Sequence, residues 1–222
     1  MSTSGTTTRP ASAPASGASP LRVALLGTPG VVLGVTGFTH PAVLSYDSSH
    51  HWWVMHLVAL FIFPLVGVAL AALVWPRRDP VAVVLCVGAY VYATAYTALD
   101  LIAGVTAGWI TYRLGPDVER PDEVRYVFEI GNHLGTAGEI GLVVAALAAI
   151  LVALRGAGAA ALVGAVPLVV GVALHVEDHI YRPWGATGAL LVGLGTAGLG
   201  WALGRGAQNK RDVGSSRPRS AS

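Results

Sequence analysis

Between residues 174 and 185 the sequence reads LHVEDHIYRPWG, with two imidazoles and two carboxylates standing where a long uncharged run ends. His175, Asp178 and His179 are spaced i, i+3, i+4 and share a helix face, while Glu177 points elsewhere. A second group lies in FEIGNHLGTAGEIG, where Glu129, Asn132, His133, Thr136 and Glu139 form one broad polar stripe. In that segment Gly131 and Gly135 make a GxxxG that brings another helix close. A third is the stripe Tyr92, Tyr96, Asp100, continued by Gly104 and Gly108, in which a tyrosine hydroxyl reaches a carboxylate one turn away.

Three chemistries follow from these residue types. Imidazoles converging from several helices can hold a transition metal, for which His56, His133, His175 and His179 are the expected ligands. Asp100, Glu129 and Asp178 would then fix their tautomers. Two axial histidines can hold a b-type haem, with His56, His133 and His175 as candidates. Without a cofactor, Asp100, His133 and Glu139 are the expected proton donors and acceptors of an enzyme acting on a lipid-like substrate. A polar clamp in an accessory or structural subunit of a membrane complex, or in a homo-oligomer, uses the same residues without chemistry. The di-iron spacing E-x-x-H is not met, since Glu129 and His133 are four apart, and H-E-x-x-H is absent. Cys86 is the only cysteine, which excludes an intramolecular disulfide, a cysteine-rich metal site and covalent c-type haem. No phosphate-binding glycine loop precedes a helix, and no basic patch interleaved with aromatics points to nucleic acid.

The elements that must position these groups are membrane spans. The 222 residues are 54% hydrophobic and 12% charged, half the charge of a soluble domain at about 25%. Uninterrupted apolar runs, each long enough to cross a bilayer, recur along the chain. The expected fold is therefore all-α: a polytopic transmembrane bundle over 21–204, with disordered tails at 1–20 and, basic in character, at 205–222. About six spans are read, at 21–39, 52–75, 81–110, 125–154, 159–179 and 184–204. The first holds Pro29 and four glycines and is expected to be short or kinked. It is read as a retained helix, the alternative being the apolar part of a signal peptide. With both termini in the cytoplasm, ten of the fourteen basic residues fall inside and four outside, which points to a plasma membrane such as the bacterial inner membrane. PLVGVAL at 64–70 resembles PLVVGVAL at 167–174, as an inverted repeat would require.

Height along the spans ties the groups together. A helix rises 1.5 Å per residue, so about 20 residues carry a span across a core about 30 Å thick. Counted from the inner ends, His40, His56, Asp100, His133 and His175 each lie sixteen to twenty-one residues up. All seven histidines fall in the outer portion, and beyond Arg22 at the start of the first span the inner half of the spans carries no Asp, Glu, Lys, Arg or His. Trp52, Trp53, Trp109 and Trp184 mark an aromatic belt at that level, where His40, His50 and His51 are read as ordinary interface residues.

Overall fold

In a computed structural model, residues 19–215 are described, and every regular element among them is helical. Residues 1–18 and 216–222, which hold most of the first expected tail and the last seven residues of the second, lie outside the described residues. The chain runs through α1 (Pro20–Gly37), α2 (Tyr46–Ala59), α3 (Phe63–Ala72) and α4 (Pro80–Leu99). A π-helical stretch, Asp100–Thr106, joins α4 to α5 (Ala107–Leu114). Then come α6 (Asp122–Ala157), a 3₁₀ turn (Gly158–Ala161), α7 (Leu162–Asp178) and α8 (Trp184–Ser215).

Five segments are long and apolar enough to cross a membrane: Pro20–Gly37, Tyr46–Ala72, Pro80–Leu114, Asp122–Asp178 and Trp184–Val213. The protein is a multi-pass helical membrane protein. The fourth segment, 57 residues long, takes in both α6 and α7 and so covers two of the six expected spans. Gly158 turns the chain between them at φ 59°, a backbone conformation that costs glycine little.

Local chemistry sets the helix boundaries. Ser45 caps α2 by accepting from Ser48 N–H while Ser48 returns the bond to the Ser45 backbone. Asp79 caps α4 ahead of Pro80, a residue that suits the first helical turn. Pro64 has no N–H to donate, and its ring crowds the carbonyl four residues earlier, so the helix breaks at residues 60–62 before α3 begins. Pro29 and Pro167, by contrast, lie inside continuous helices. The two Pro-Leu-Val matches therefore occupy different local settings: one starts α3 and the other sits within α7.

The glycines of α1 serve packing, and α1 is an uninterrupted helix of 18 residues. A methyl group on Gly30 would lie 2.5 Å from Gly193 N, and one on Gly34 would lie 2.7 Å from Ala186 O, so α1 and α8 touch backbone to backbone. Gly171 and Gly188 do the same between α7 and α8, as do Gly88 and Gly141 between α4 and α6. Such close crossing replaces the hydrophobic drive that lipid surroundings remove. The core between these pairs is formed by Leu33, Phe63, Leu70, Leu85, Leu142, Leu168 and Leu199, all buried.

α6 has 36 residues, about 54 Å at the helical rise, so it outruns the hydrocarbon. Its first turns are polar and self-paired, with Arg125 bonding Glu129 at 2.8 Å. α8 also continues as helix to Ser215, past the boundary expected at 204, and Arg205 lies 4.9 Å over the Trp201 ring. At this basic end Arg22 donates to Ala72 O at 3.2 Å, and Arg22, Arg77 and Arg211 line a shared groove. The histidines are at the other end.

Candidate functional site

A cavity of about 270 Å³ opens at the histidine end of the bundle. The α1–α2 loop gives it His40, and α2 gives Trp52 and His56. Leu99 at the end of α4 and Asp100, Ala103 and Gly104 of the π-helical stretch form the next wall. Phe128, Asn132, Gly135, Thr136 and Glu139 of α6 form another, and His179 and Tyr181 of the α7–α8 turn close the ring. The exposed members of this lining are Asn132 and Thr136, so the mouth lies on the α6 side.

Two chains of polar side chains meet at the cavity. The first joins Asp100, His56 and His40. Asp100 Oδ1 lies 3.8 Å from His56 Nε2, and His56 Nε2 lies 3.3 Å from His40 Nε2. His56 Nδ1–H donates to Trp52 O at 2.7 Å, and His40 Nδ1–H donates to Pro41 O, also at 2.7 Å. His40 is 2% exposed, His56 6% and Asp100 3%. Burial, and then the neighbouring His56, push the His40 imidazole down to about 4, against the opposing pull of the Pro41 carbonyl. The second chain joins Glu139, Tyr96 and His179. Tyr96 O–H donates to Glu139 Oε1 at 3.2 Å, and His179 Nδ1 lies 3.4 Å from the same hydroxyl.

Local backbone features make room for both chains. A methyl on Gly104 would collide with the His56 ring, and one on Gly138 with the Tyr96 ring. Each aromatic or imidazole ring is thus seated in the notch of a facing glycine. The π-helical stretch begins at Asp100, and such stretches occur often at functional positions. It keeps Asp100, Ala103, Gly104 and Ala107 all buried. His179 ends α7 at φ 51°, a conformation uncommon for any residue but glycine and found where the surrounding structure holds a residue in place for function.

The expected residues divide clearly. Asp100, Glu139, His56 and His179 are brought to one cavity. His133 is not: it is exposed on α6, because a step of one residue from Asn132 turns it about 100° away. The stripe that reaches the cavity is Phe128, Asn132, Gly135, Thr136 and Glu139, narrower than the stripe expected, while Glu129 is turned out to Arg125. His175 is buried but lies behind the cavity wall, its ring 5.3 Å from that of Tyr96 and 6.3 Å from that of Tyr92. Asp178 does not line the cavity, and its carbonyl accepts from Tyr181 N–H. Of the expected GxxxG pair, Gly131 meets Ala103 closely whereas Gly135 makes only ordinary contact with Leu99.

These placements do not support the metal and haem expectations. Among the described residues no group of three or more His, Cys, Asp or Glu side chains is placed to hold a metal ion. Of His56, His133, His175 and His179, only His56 and His179 reach the cavity. Of the haem candidates His56, His133 and His175, only His56 does, so these three do not supply an axial pair there.

The sequence pattern places His40 and Trp52 at the outer interface and gives Tyr181 no role. The structure puts His40 at the centre, its ring 4.7 Å from those of both Trp52 and Tyr181. Trp52 is buried, and its Nε1–H donates to Ala103 O at 3.3 Å. The usable signal was His40's height, level with the other polar residues. His50 and His51 do remain exposed, His51 bonding Thr39 O at 2.9 Å. Compared with protein-family models, curated proteins and solved structures, the chain matches none.

Proposed function

We propose that the protein is a membrane-embedded acid–base enzyme acting on a lipid-like substrate. The reading rests on one observation: two separate carboxylate–imidazole chains, Asp100–His56–His40 and Glu139–Tyr96–His179, bring their carboxylates and imidazoles to the wall of a single cavity. General acid–base chemistry needs one group to take a proton while another gives one, and two chains that do not share a member can hold different protonation states. A mouth flanked by Asn132 and Thr136 on a long apolar helix suits a molecule whose polar head enters while its tail stays in lipid. Leu99, Trp52 and Phe128 supply an apolar wall for the part of the head that carries no charge.

The same proposal places the chain in a plasma membrane, such as the bacterial inner membrane, with six spans and both termini cytoplasmic. The break at Gly158 within the 57-residue segment supports six, as does the burial of α7 against α8. The clustering of Arg22, Arg77 and Arg211 at the end away from the cavity supports the orientation. The cavity then faces the outer leaflet.

The experiment is a mass-spectrometric lipid profile of membranes from cells producing the wild type, Asp100→Asn or Glu139→Gln. The wild type is expected to change the abundance of one lipid class, and each isosteric variant to abolish the change. Identical profiles in all three would favour a non-catalytic accessory subunit instead.

A further inference from the structure

The His40–His56 contact poses a counting problem. A neutral imidazole carries one N–H and one lone pair. Three contacts need a proton: His40 Nδ1 to Pro41 O, His56 Nδ1 to Trp52 O, and Nε2 to Nε2 at 3.3 Å. Two neutral rings bring only two protons. If both occupy the backbone contacts, two lone pairs face each other across 3.3 Å. Switching either tautomer satisfies the Nε2 contact but sets a ring lone pair against a carbonyl oxygen at 2.7 Å. No neutral arrangement fills all three, and one added proton fills them all.

A second, independent feature lies beside this vacancy. Asp100 Oδ1 is 3.8 Å from His56 Nε2, while its Oδ2 is buried with no hydrogen-bond partner among the described residues. A buried carboxylate, the charged form, left half unpaired beside two imidazoles is costly unless it compensates a positive charge.

We propose that His40 and His56 act together as one base, taking a single proton from a hydroxyl donor in the cavity and holding it between the two Nε2 atoms, with the Asp100 carboxylate as counter-charge. One O–H bond breaks and one N–H bond forms. The bonding pair stays on the donor oxygen, which becomes a nucleophile. This rests on, and deepens, the acid–base reading of the same cavity by naming its base. The groups facing the pair leave it that role. His51 lies on the exposed side of α2, and His179 and Tyr181 approach from the α7–α8 turn. Glu139, the remaining carboxylate of the cavity wall, is engaged by Tyr96.

The test is ¹⁵N NMR of the full-length chain, labelled at histidine and held in lipid nanodiscs, across a pH series. The expected result is one shared step: the His40 and His56 signals move together, one proton is taken up, and a single deshielded proton couples to both Nε2 nuclei. In Asp100→Asn the step should need at least a tenfold higher proton concentration. In His40→Gln the shared step should disappear, and no proton should couple to two Nε2 nuclei. Two independent titrations in the wild type would overturn the proposal, and so would an Nδ1 lacking its proton. A Zn²⁺ or Cu²⁺ ion retained at one per chain and lost in His40→Gln would also overturn it, by filling the vacancy without a proton. The wild-type spectra decide the matter even if a variant fails to fold. They are also independent of lipid conversion: a shared step with no lipid change leaves the base standing and removes only the substrate reading.

Discussion

Two glycines on the cavity wall should answer the same substitution with opposite signs. In Gly104→Ala the new methyl would lie on Cδ2 and Cγ of His56 and 2.7 Å from its Cβ. A ring can rotate away, but Cβ is fixed to the α2 backbone, so α2 itself must move. Overpacking of this kind costs about 1–3 kcal/mol. In Gly135→Ala the methyl meets only Leu99 Cδ2 at 3.6 Å, an ordinary contact. Replacing a helical glycine by alanine then contributes about 0.5–1 kcal/mol in favour of folding. The assay is denaturant unfolding of purified protein in mixed micelles, comparing midpoints at constant slope. Gly104→Ala should unfold earlier than the wild type and Gly135→Ala later. In the first variant the His40–His56 contact should also loosen, visible as a change in the histidine ring signals. If Gly104→Ala unfolds with the wild type and leaves those signals unmoved, the argument that Gly104 seats His56 is wrong.

Other outcomes follow from the same geometry. The unfolded His40 imidazole takes a proton near pH 6.5 and the folded one only near 4, so the unfolded chain binds more protons between these values. Stability should therefore be level above pH 6.5 and fall as pH drops toward 4, by up to about 3 kcal/mol, and His40→Gln should flatten unfolding-versus-pH curves in that window. Tyr96→Phe removes the bond to Glu139 and the partner of His179, and should cost about 1–3 kcal/mol. A double-mutant cycle with Glu139→Gln would assign that loss to the pair, and full additivity would deny it. His133→Ala, at an exposed position outside the cavity, should change stability by less than about 0.5 kcal/mol and leave the lipid profile as in the wild type.

Much of this architecture was legible in the residues because lipid constrains a chain so strongly. Apolar run length gave the helices, and counting at 1.5 Å per residue put His40, His56, Asp100 and His175 at one level. The Tyr92–Tyr96–Asp100 stripe did turn inward, since all three side chains are buried. What could not be read was rotation and irregular backbone. His133 and Asn132 have the same height and differ only by the turn between neighbours, and the packing of Gly131 and Gly138 against the α4 side decides which one faces in. His175 reached the right level but was walled off by the rings of Tyr92 and Tyr96. The π-helical stretch and the left-handed His179 leave no pattern in composition or period. His40 lies in a loop, where helical counting assigns height but no direction.

The central claim is that the cavity performs proton-transfer chemistry on lipid. It is tested most directly by incubating purified protein in vesicles of bacterial lipid extract and following the lipids by mass spectrometry over time. The account predicts that one lipid class is converted by the wild type, and by neither Asp100→Asn nor Glu139→Gln. A lipid pool unchanged by the wild type, with the protein folded and its histidine signals in place, would contradict it.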